Sequence, residues 1–296
     1  MEYLSVAGIA EKWGLSERSV RNYCAEGRVA GAVREGRSWR IPKDAKKPER
    51  SNKRTEAEPA LLEVLRDEKK RKYSGGIYHK TQIELTYNSN HIEGSRLTYD
   101  QTRYIFETNT VGAEGEALNV DDIVETVNHF RCVDFIIDNA NSDLSERMIK
   151  KLHFMLKSGT SDGALSWFSV GDYKKRPNEV GGMETALPEE VPDKMKELLC
   201  EYNEKTDITF EDILKFHVKF ERIHPFQDGN GRVGRLIMFK ECLRRGIVPF
   251  IIEDDLKMFY YRGLKQWDYE RGYLRDTCLS AQDKYKAYLD YFRIPY

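Results

Sequence analysis

From residue 59 onward the apolar positions recur three and four apart. They predict helices over 60–72, 81–93, 121–139, 144–157, 191–203, 209–223 and 231–245, with further helical pieces from 254 to the end. Within 144–157, Ser145 stands where a cap belongs and Met148, Ile149, Leu152 and Met155 form the apolar face, so His153 reads as a helix or core residue. Phe210, Ile213, Leu214, Phe216, Val218 and Phe220 suit a largely buried helix that ends before Pro225, and Leu236, Ile237, Met238 and Phe239 resume as a second one. Between residues 171 and 188 the glycines, Pro177 and Asn178 read as turns, and this is the one stretch after residue 59 expected to be extended.

The first 50 residues follow another pattern. Residues 6–13 and 16–26 read as two short helices, with Ile9, Ala10 and Trp13 apolar on one and Val20, Tyr23 and Cys24 on the next. Gly14 and Leu15 turn between them, which is helix-turn-helix spacing. Residues 29–41 then alternate loosely, as a β-hairpin wing does. The expected division is a winged helix-turn-helix domain at 1–43, a Lys-rich polar linker at 44–58 and a helical domain at 59–296.

Charge sharpens that division. Residues 1–54 hold 13 of the chain's 48 Lys+Arg but only 7 of its 49 Asp+Glu, so a net charge of −1 hides a basic start and an acidic remainder. A basic helix-turn-helix is the footprint of a nucleic-acid binder. In that reading Arg18, Ser19, Arg21 and Asn22 face a DNA groove, while Arg34, Arg37 and Arg40 meet phosphates from the wing. With 40% hydrophobic residues in 296, there is enough apolar material for one sizeable core and a small second one. There is no run of 18 apolar residues and no signal-peptide core at the start, which leads to the expectation of a cytoplasmic protein without a membrane partner. Cys24, Cys132, Cys200, Cys242 and Cys278 are odd in number and widely spaced, and indicate neither a disulfide framework nor a zinc site.

The chemistry concentrates at residues 224–235, His-Pro-Phe-Gln-Asp-Gly-Asn-Gly-Arg-Val-Gly-Arg. Lying between two predicted helices, this loop places Gly229, Asn230 and Gly231 at a helix N-terminus, where unpaired N–H groups and the dipole favour phosphate. Arg232 and Arg235, three apart, are expected to share a face and reach one polyphosphate. Asp228 suits Mg²⁺, which binds through one or two carboxylates together with substrate phosphates. His224 is the group left to take a proton from an attacking hydroxyl.

His224, Phe226, Asp228, Gly229, Asn230, Gly231, Arg232 and Arg235 fill every fixed position of the motif His-x-Phe-x-(Asp/Glu)-Gly-Asn-Gly-Arg-x-x-Arg, and the segment resembles the Fic family. The resemblance implies transfer of AMP from ATP to a Ser, Thr or Tyr hydroxyl of a target protein, or of the protein itself. It implies His224 as general base, Asp228 as ligand of a Mg²⁺ bridging the phosphates, Gly229, Asn230 and Gly231 as the anion hole, and Arg232 and Arg235 as phosphate grips. Arg235 would lie near the γ-phosphate, and Phe226 would be a core anchor. The intact Gly-Asn-Gly-Arg favours nucleotidyl transfer over the phosphate transfer of relatives whose anion loop differs. The fold implied is mainly α: a Fic-type helical bundle with a short β-hairpin flap, here preceded by a small domain resembling excisionase-like or MerR-like winged helices.

Ser89 and Glu93 in Ser-Asn-His-Ile-Glu-Gly lie four apart on the helix expected at about 81–94, and the string resembles the family's inhibitory motif (Ser/Thr)-x-x-x-Glu-(Gly/Asn). That resemblance implies that Glu93 pairs with Arg235 in the space the γ-phosphate needs, with Ser89 in support. Gly171-Asp172-Tyr173-Lys174 and the residues up to Pro188 resemble the family's flap, which registers an extended target segment, although the family often has Arg where Lys174 stands. Tyr260 and Tyr261, with Phe259 and Trp267, lie where family members carry aromatics around the nucleotide base. Family members often form homodimers. Other readings stay open at this point: another nucleotide donor, removal of AMP with Glu93 positioning water, a transcriptional regulator that senses ATP without transferring anything, and an antitoxin-like or scaffold role.

Overall fold

The computed structural model describes residues 3–25, 29–36, 38–48, 60–112, 115 and 117–296, the side chains of Arg18, Asn22 and Met183 excepted. The chain divides into two compact units, Met1–Ala57 and Glu58–Tyr296. Arg37 and residues 49–58 of the expected linker lie outside the described residues, as do the side chains of Arg18 and Asn22.

In the first unit a short strand β1 (Tyr3–Ser5) leads directly into α1 (Val6–Trp13), whose N-cap Ser5 accepts from the Gly8 N–H at 3.3 Å. Gly14, at φ 63°, closes α1 in the left-handed conformation that glycine adopts without penalty, and α2 (Glu17–Ala25) follows. The expected wing is β2 (Val33–Glu35) with β3 (Ser38–Pro42), but β1 pairs along the far side of β3, Leu4 opposite Ile41, giving a three-stranded antiparallel sheet in the order β1-β3-β2. The three residues of β1 are too short a run to show alternation. Ile9, Val20 and Ile41 are fully buried at the centre of this small core. Ala45 packs on it, and Lys47 donates to the Trp13 carbonyl at 2.8 Å, so the start of the expected linker folds back onto the unit.

The second unit is helical: α3 (Ala60–Arg71), α4 (Ile77–Ile92), α5 (Tyr99–Thr108), α6 (Val120–Asp138), α7 (Glu146–Lys157), α8 (Val191–Asn203), α9 (Phe210–Ile223), α10 (Asn230–Arg244), α11 (Lys257–Gln266) and α12 (Gly272–Phe292). Two-residue strands β4 (Glu179–Val180) and β5 (Met183–Glu184) make the flap hairpin between α7 and α8. The architecture is thus mainly α, as expected. Helix α10 is buried all round, with Val233, Leu236, Ile237 and Phe239 at 1% exposure or less, and it packs against α3, α4, α6, α7 and α9. It is the axis on which the site is built.

Two differences from the expected helices have local causes. Helix α4 begins four residues earlier than expected because its first turn is capped from α3: Glu68 accepts the Tyr78 N–H at 2.8 Å, and a Cβ on Gly76 would lie 2.3 Å from that carboxylate. Helix α5 has no counterpart among the expected helices. It carries a capping box between Thr98 and Gln101, but only Thr102 and Ile105 are buried along it, too few to make a readable apolar stripe.

Candidate active site between the ends of α4, α7 and α10

The loop from α9 to α10 is held from several sides. His224 terminates α9 at φ 50°, its N–H bonded to the Phe220 carbonyl at 2.9 Å. Phe226 is fully buried and stacks face to face on His153, ring centroids 4.0 Å apart. His153 Nε2 lies 3.1 Å from the Asp228 carbonyl, while its Nδ1 accepts from the Gly171 N–H at 2.9 Å. The ring therefore carries its proton on Nε2, and it bridges α7, the active loop and the flap. Burial pushes its pKa down to about 3, so the bridge stays neutral. His153 is buried as expected, but it also positions the loop.

Asn230 does the same from the other end. Its Oδ1 accepts from the Phe226 N–H and its Nδ2 donates to the Phe226 carbonyl, both at 2.8 Å. The amide is thereby consumed in shaping the loop, so Asn230 can serve an anion only through its backbone. Gly229, at φ 80°, precedes α10, and its first turn presents backbone N–H groups without a side-chain cap.

On one side of that turn lies the α4 end. Arg235 donates from Nε to Ser89 Oγ at 3.0 Å, and from one terminal nitrogen to the Ser89 carbonyl at 2.9 Å and to Glu93 Oε1 at 2.6 Å. A Cβ on Gly231 would sit 2.3 Å from Glu93 Oε1, so the carboxylate rests directly against the helix N-terminus. Arg235 is 4% exposed and Glu93 29%. Burial would lower the pKa of Arg235, but Glu93 outweighs it and holds the guanidinium firmly charged.

Beneath this pair is a second carboxyl that the motif does not announce. Burial, followed by the charge of Glu93, raises Glu221 to a pKa of about 8. A Cβ on Gly234 would lie 2.7 Å from His217 and 2.8 Å from Glu221, so α9 and α10 can approach only because position 234 is glycine. His217 Nε2 meets the Tyr260 hydroxyl at 2.5 Å. Tyr260 is therefore a buried support at 1% exposure and offers no open face to a base; Tyr261, 38% exposed, does.

On the other side of the turn lies a charge cluster. Lys157 at the end of α7 is buried, yet its ammonium contacts Asp228 at 2.7 Å, Asp162 at 2.7 Å and Glu125 of α6. Arg232 bonds Glu125 and, at 3.2 Å, Asp228. Burial alone would raise the Asp228 pKa, but Arg232 and Lys157 outweigh it and hold the carboxyl at about 2. Glu125, Asp162 and Asp228 each bring an oxygen within 4.8 Å of the others, a hard-oxygen set that suits Mg²⁺. Arg232 and Arg235, expected to work together, engage different helices.

His224 Nδ1 lies 3.3 Å from the Glu221 carbonyl, which places the proton there and leaves Nε2 as acceptor. Burial, then the charge of Lys174, lowers its pKa to about 4. The flap closes on this loop: the Lys174 N–H donates to the Pro225 carbonyl at 2.9 Å, and its ammonium donates to Asn178 and Thr185, both at 2.7 Å. Lys174 is thus a buried strut of the flap, its pKa lowered by burial to about 8.

His224, Asp228, Gly229, Asn230, Gly231, Arg232, Arg235, Ser89 and Glu93 all converge here. Glu125, Lys157, Asp162, His217, Glu221 and Gly234 join them without having been singled out. The candidate DNA-contacting residues lie in the first unit. There Arg34 is exposed, Arg21 pairs with Glu17 at 2.5 Å, Arg40 pairs with Glu35 at 2.8 Å, and Ser19 Oγ meets Ser16 Oγ at 2.9 Å.

Residues 143–242 match the model of the Fic/DOC family. The chain is similar to Protein adenylyltransferase Fic of Aedes aegypti, 27% identical over 188 residues that cover 60% of this chain and 36% of that relative. The chain therefore spans well under half the length of this curated relative. A Fic domain containing signaling protein from Bacteroides thetaiotaomicron is 29% identical in a superposition of TM-score 0.59, covering 78% of this chain and 90% of that one. Fic-1 from C. elegans, at 22% identity and TM-score 0.62 over 79% of this chain and 72% of that one, shares the fold. The second unit thus carries a Fic/DOC domain, and the helical chain shares its architecture with solved Fic proteins.

Proposed function

We propose that this chain is a protein adenylyltransferase that moves AMP from ATP to a Ser, Thr or Tyr hydroxyl of a protein, and that Glu93 restrains it. In this reading the polyphosphate lies over the N-terminus of α10, where the backbone N–H groups of Gly229, Asn230 and Gly231 neutralise it. Asp228 would hold Mg²⁺, assisted by the oxygens of Glu125 and Asp162, and the metal's chemistry there is charge neutralisation on the phosphates. His224 Nε2 takes the proton of the attacking hydroxyl as the oxygen closes on the α-phosphorus and pyrophosphate leaves. The flap, fastened by Lys174 and Asn178, lays the target segment alongside. Catalysis then rests on positioning and on charge already in place.

The observation that carries the restraint is the part-buried Arg235–Glu93 pair at 2.6 Å, with the Glu93 carboxylate lying where any substituent on Gly231 would be. A terminal phosphate approaching Arg235 meets a like charge that already occupies the guanidinium. Arg235 is held charged, so relief would come from displacing the end of α4.

For the first unit we propose DNA binding. Its helix pair, its three-stranded sheet and the exposed Arg21, Arg34 and Arg40 support that reading. The ion pairs at Arg21 and Arg40 are exposed and worth under about 1 kcal/mol each, so a phosphate can displace them. A homodimer and a cytoplasmic setting accompany this proposal; among the described residues no helix is long and apolar enough to cross a membrane.

The test is incubation with labelled ATP and Mg²⁺ followed by mapping of the label. Glu93→Gly is expected to raise transfer roughly 5- to 150-fold, the range a few kcal/mol of coupling supplies. Adding His224→Ala is expected to remove about 10²- to 10⁴-fold of it, the scale of a lost general base. Equal labelling by wild type and Glu93→Gly would remove the restraint, and label surviving loss of His224 would remove the mechanism.

A further inference from the structure

Three carboxylates converge beside the α10 N-terminus, and a lysine stands among them. Lys157 is 2% exposed, and its ammonium is bonded at once to Glu125, to Asp162 at 2.7 Å and to Asp228 at 2.7 Å. Its side chain runs under the anion cradle, with its Cδ 3.7 Å from where a Cβ on Gly229 would be. A second cation, Arg232, closes the cluster from the other side through Glu125 and Asp228. Its Nε is buried and has no hydrogen-bond partner among the described residues, a donor left over for one more oxygen. Two cations against three carboxylates leave one negative charge, too little to draw a divalent ion strongly in competition with an ammonium already seated.

We infer that Lys157 is a resident counter-cation in the divalent-metal position, and that metal joins Asp228, Asp162 and Glu125 only as the Lys157 ammonium yields its contacts. The inference rests on reading Asp228 as the metal ligand. Oxygens within 4.8 Å of one another define one cation-sized place, and the ammonium is in bonding contact with all three groups that line it. An incoming polyphosphate changes the balance, because it offers Lys157 and the spare Arg232 donor new oxygens while adding negative charge for the metal. Metal and nucleotide should then bind together, each weakly alone, the reciprocal coupling that two linked ligands obey. Lys157 acts through the metal and the phosphates and is a positioning residue; it takes no proton from the target.

The test uses the full chain and Mn²⁺ as probe, with free Mn²⁺ followed by electron paramagnetic resonance in the absence of nucleotide. Lys157→Met keeps the length of the side chain and removes the charge. It is expected to bind Mn²⁺ at least about tenfold more tightly than wild type, since the metal no longer competes with a full charge in the same place. Adding Asp162→Asn should reverse most of that gain. Because Lys157→Met leaves three carboxylates facing one another, thermal unfolding is measured alongside. Mn²⁺ should raise its midpoint more than that of wild type, whereas Lys157→Arg, which keeps a cation, should show neither effect. Mn²⁺ affinity that is unchanged or weaker in folded Lys157→Met overturns the inference, as does an equal midpoint shift in wild type. Failure of the transferase reading looks different: Mn²⁺ affinities shift as described, but no label reaches any protein.

Discussion

Arg232 and Arg235 stand three residues apart on one buried helix, carry the same guanidinium and are paired with carboxylates supplied by other helices. Their settings nevertheless differ. Arg232 shares Glu125 and Asp228 with a buried lysine, in a cluster fixed from α6, α7 and the loop itself. Arg235 is held by Ser89 and by Glu93, the C-cap of α4, whose carboxylate is 29% exposed where Glu125 is 13%. One flank is a network in which each cation is shared among two or three carboxylates, and the other a latch in which one guanidinium is bonded to one carboxylate. Identical residues in one motif can thus serve as a fixed wall and as a releasable contact, and the difference lies in what the distant helices bring.

The largest expected effect breaks that comparison through stability. Arg232→Met leaves Glu125, Asp162 and Asp228 with Lys157 as their one remaining bonded cation and should cost up to about 3–5 kcal/mol of unfolding free energy, the range for removing one partner of a buried charge cluster. Arg235→Met strands Glu93, which can turn its carboxylate to water, and should cost roughly half as much. Urea denaturation of both variants decides the matter; equal losses would mean that the latch is as closed as the wall.

The two flanks should also respond to pH in opposite directions. Glu221, below Arg235 and facing His217, His224 and Glu93, has a folded pKa of about 8 against an ordinary 4.5. Between those values the folded chain holds a proton that the unfolded chain has lost, so this group's contribution is full below about 4.5 and is lost as pH rises toward 8. Glu221→Gln should therefore gain stability on wild type as pH rises from 5 to 8, by at most roughly 1.4 kcal/mol per pH unit. Asp228 works the other way. Its folded pKa of about 2 lies below the ordinary 3.8, so its contribution is present above that value and lost as pH falls toward 2. Asp228→Asn should flatten the acid limb below pH 4, although the buried His153, His217 and His224 must also take up protons there on unfolding. Unfolding free energies of both variants across pH 2–8 check the opposition; parallel profiles would dissolve it.

What is legible in the chain follows the same division. The motif at 224–235 and the Ser89–Glu93 string are each continuous in sequence, and the helix periods around them are strong, so the residues of the latch stand out from the order of amino acids alone. Of the wall, only Asp228 and Arg232 do. Glu125, Lys157 and Asp162 come from three elements, and each taken alone is an ordinary polar residue near a helix end. Lys157 follows an apolar stripe that predicts the helix but says nothing of an ammonium buried at its end. The pairing of Asn230 with Phe226 is likewise hidden, because residue type shows an amide but not that both of its ends are spent on the loop. Gly234 falls at an unconstrained position of the motif, and only the close approach of His217 and Glu221 shows why no larger residue fits. Strand β1 and the early start of α4 escape the sequence pattern for a related reason, since their partners, β3 and Glu68, lie elsewhere in the chain.

The smallest expected effect sharpens the latch itself. Arg235 is held at Ser89 twice, by the hydroxyl at 3.0 Å and by the main-chain carbonyl at 2.9 Å, and Ser89→Ala removes only the first. The Arg235 Nε would lose its partner while the carbonyl and Glu93 keep the guanidinium in place, so the cost should be about 1 kcal/mol, that of one hydrogen bond to a charged group partly replaced. If Ser89 chiefly steadies Arg235 toward Glu93, the variant should raise AMP transfer by a fewfold at most, well short of Glu93→Gly, and Ser89→Thr, which keeps the hydroxyl, should restore the wild-type level. A rise matching Glu93→Gly would make the hydroxyl, and not the carboxylate, the element that restrains Arg235.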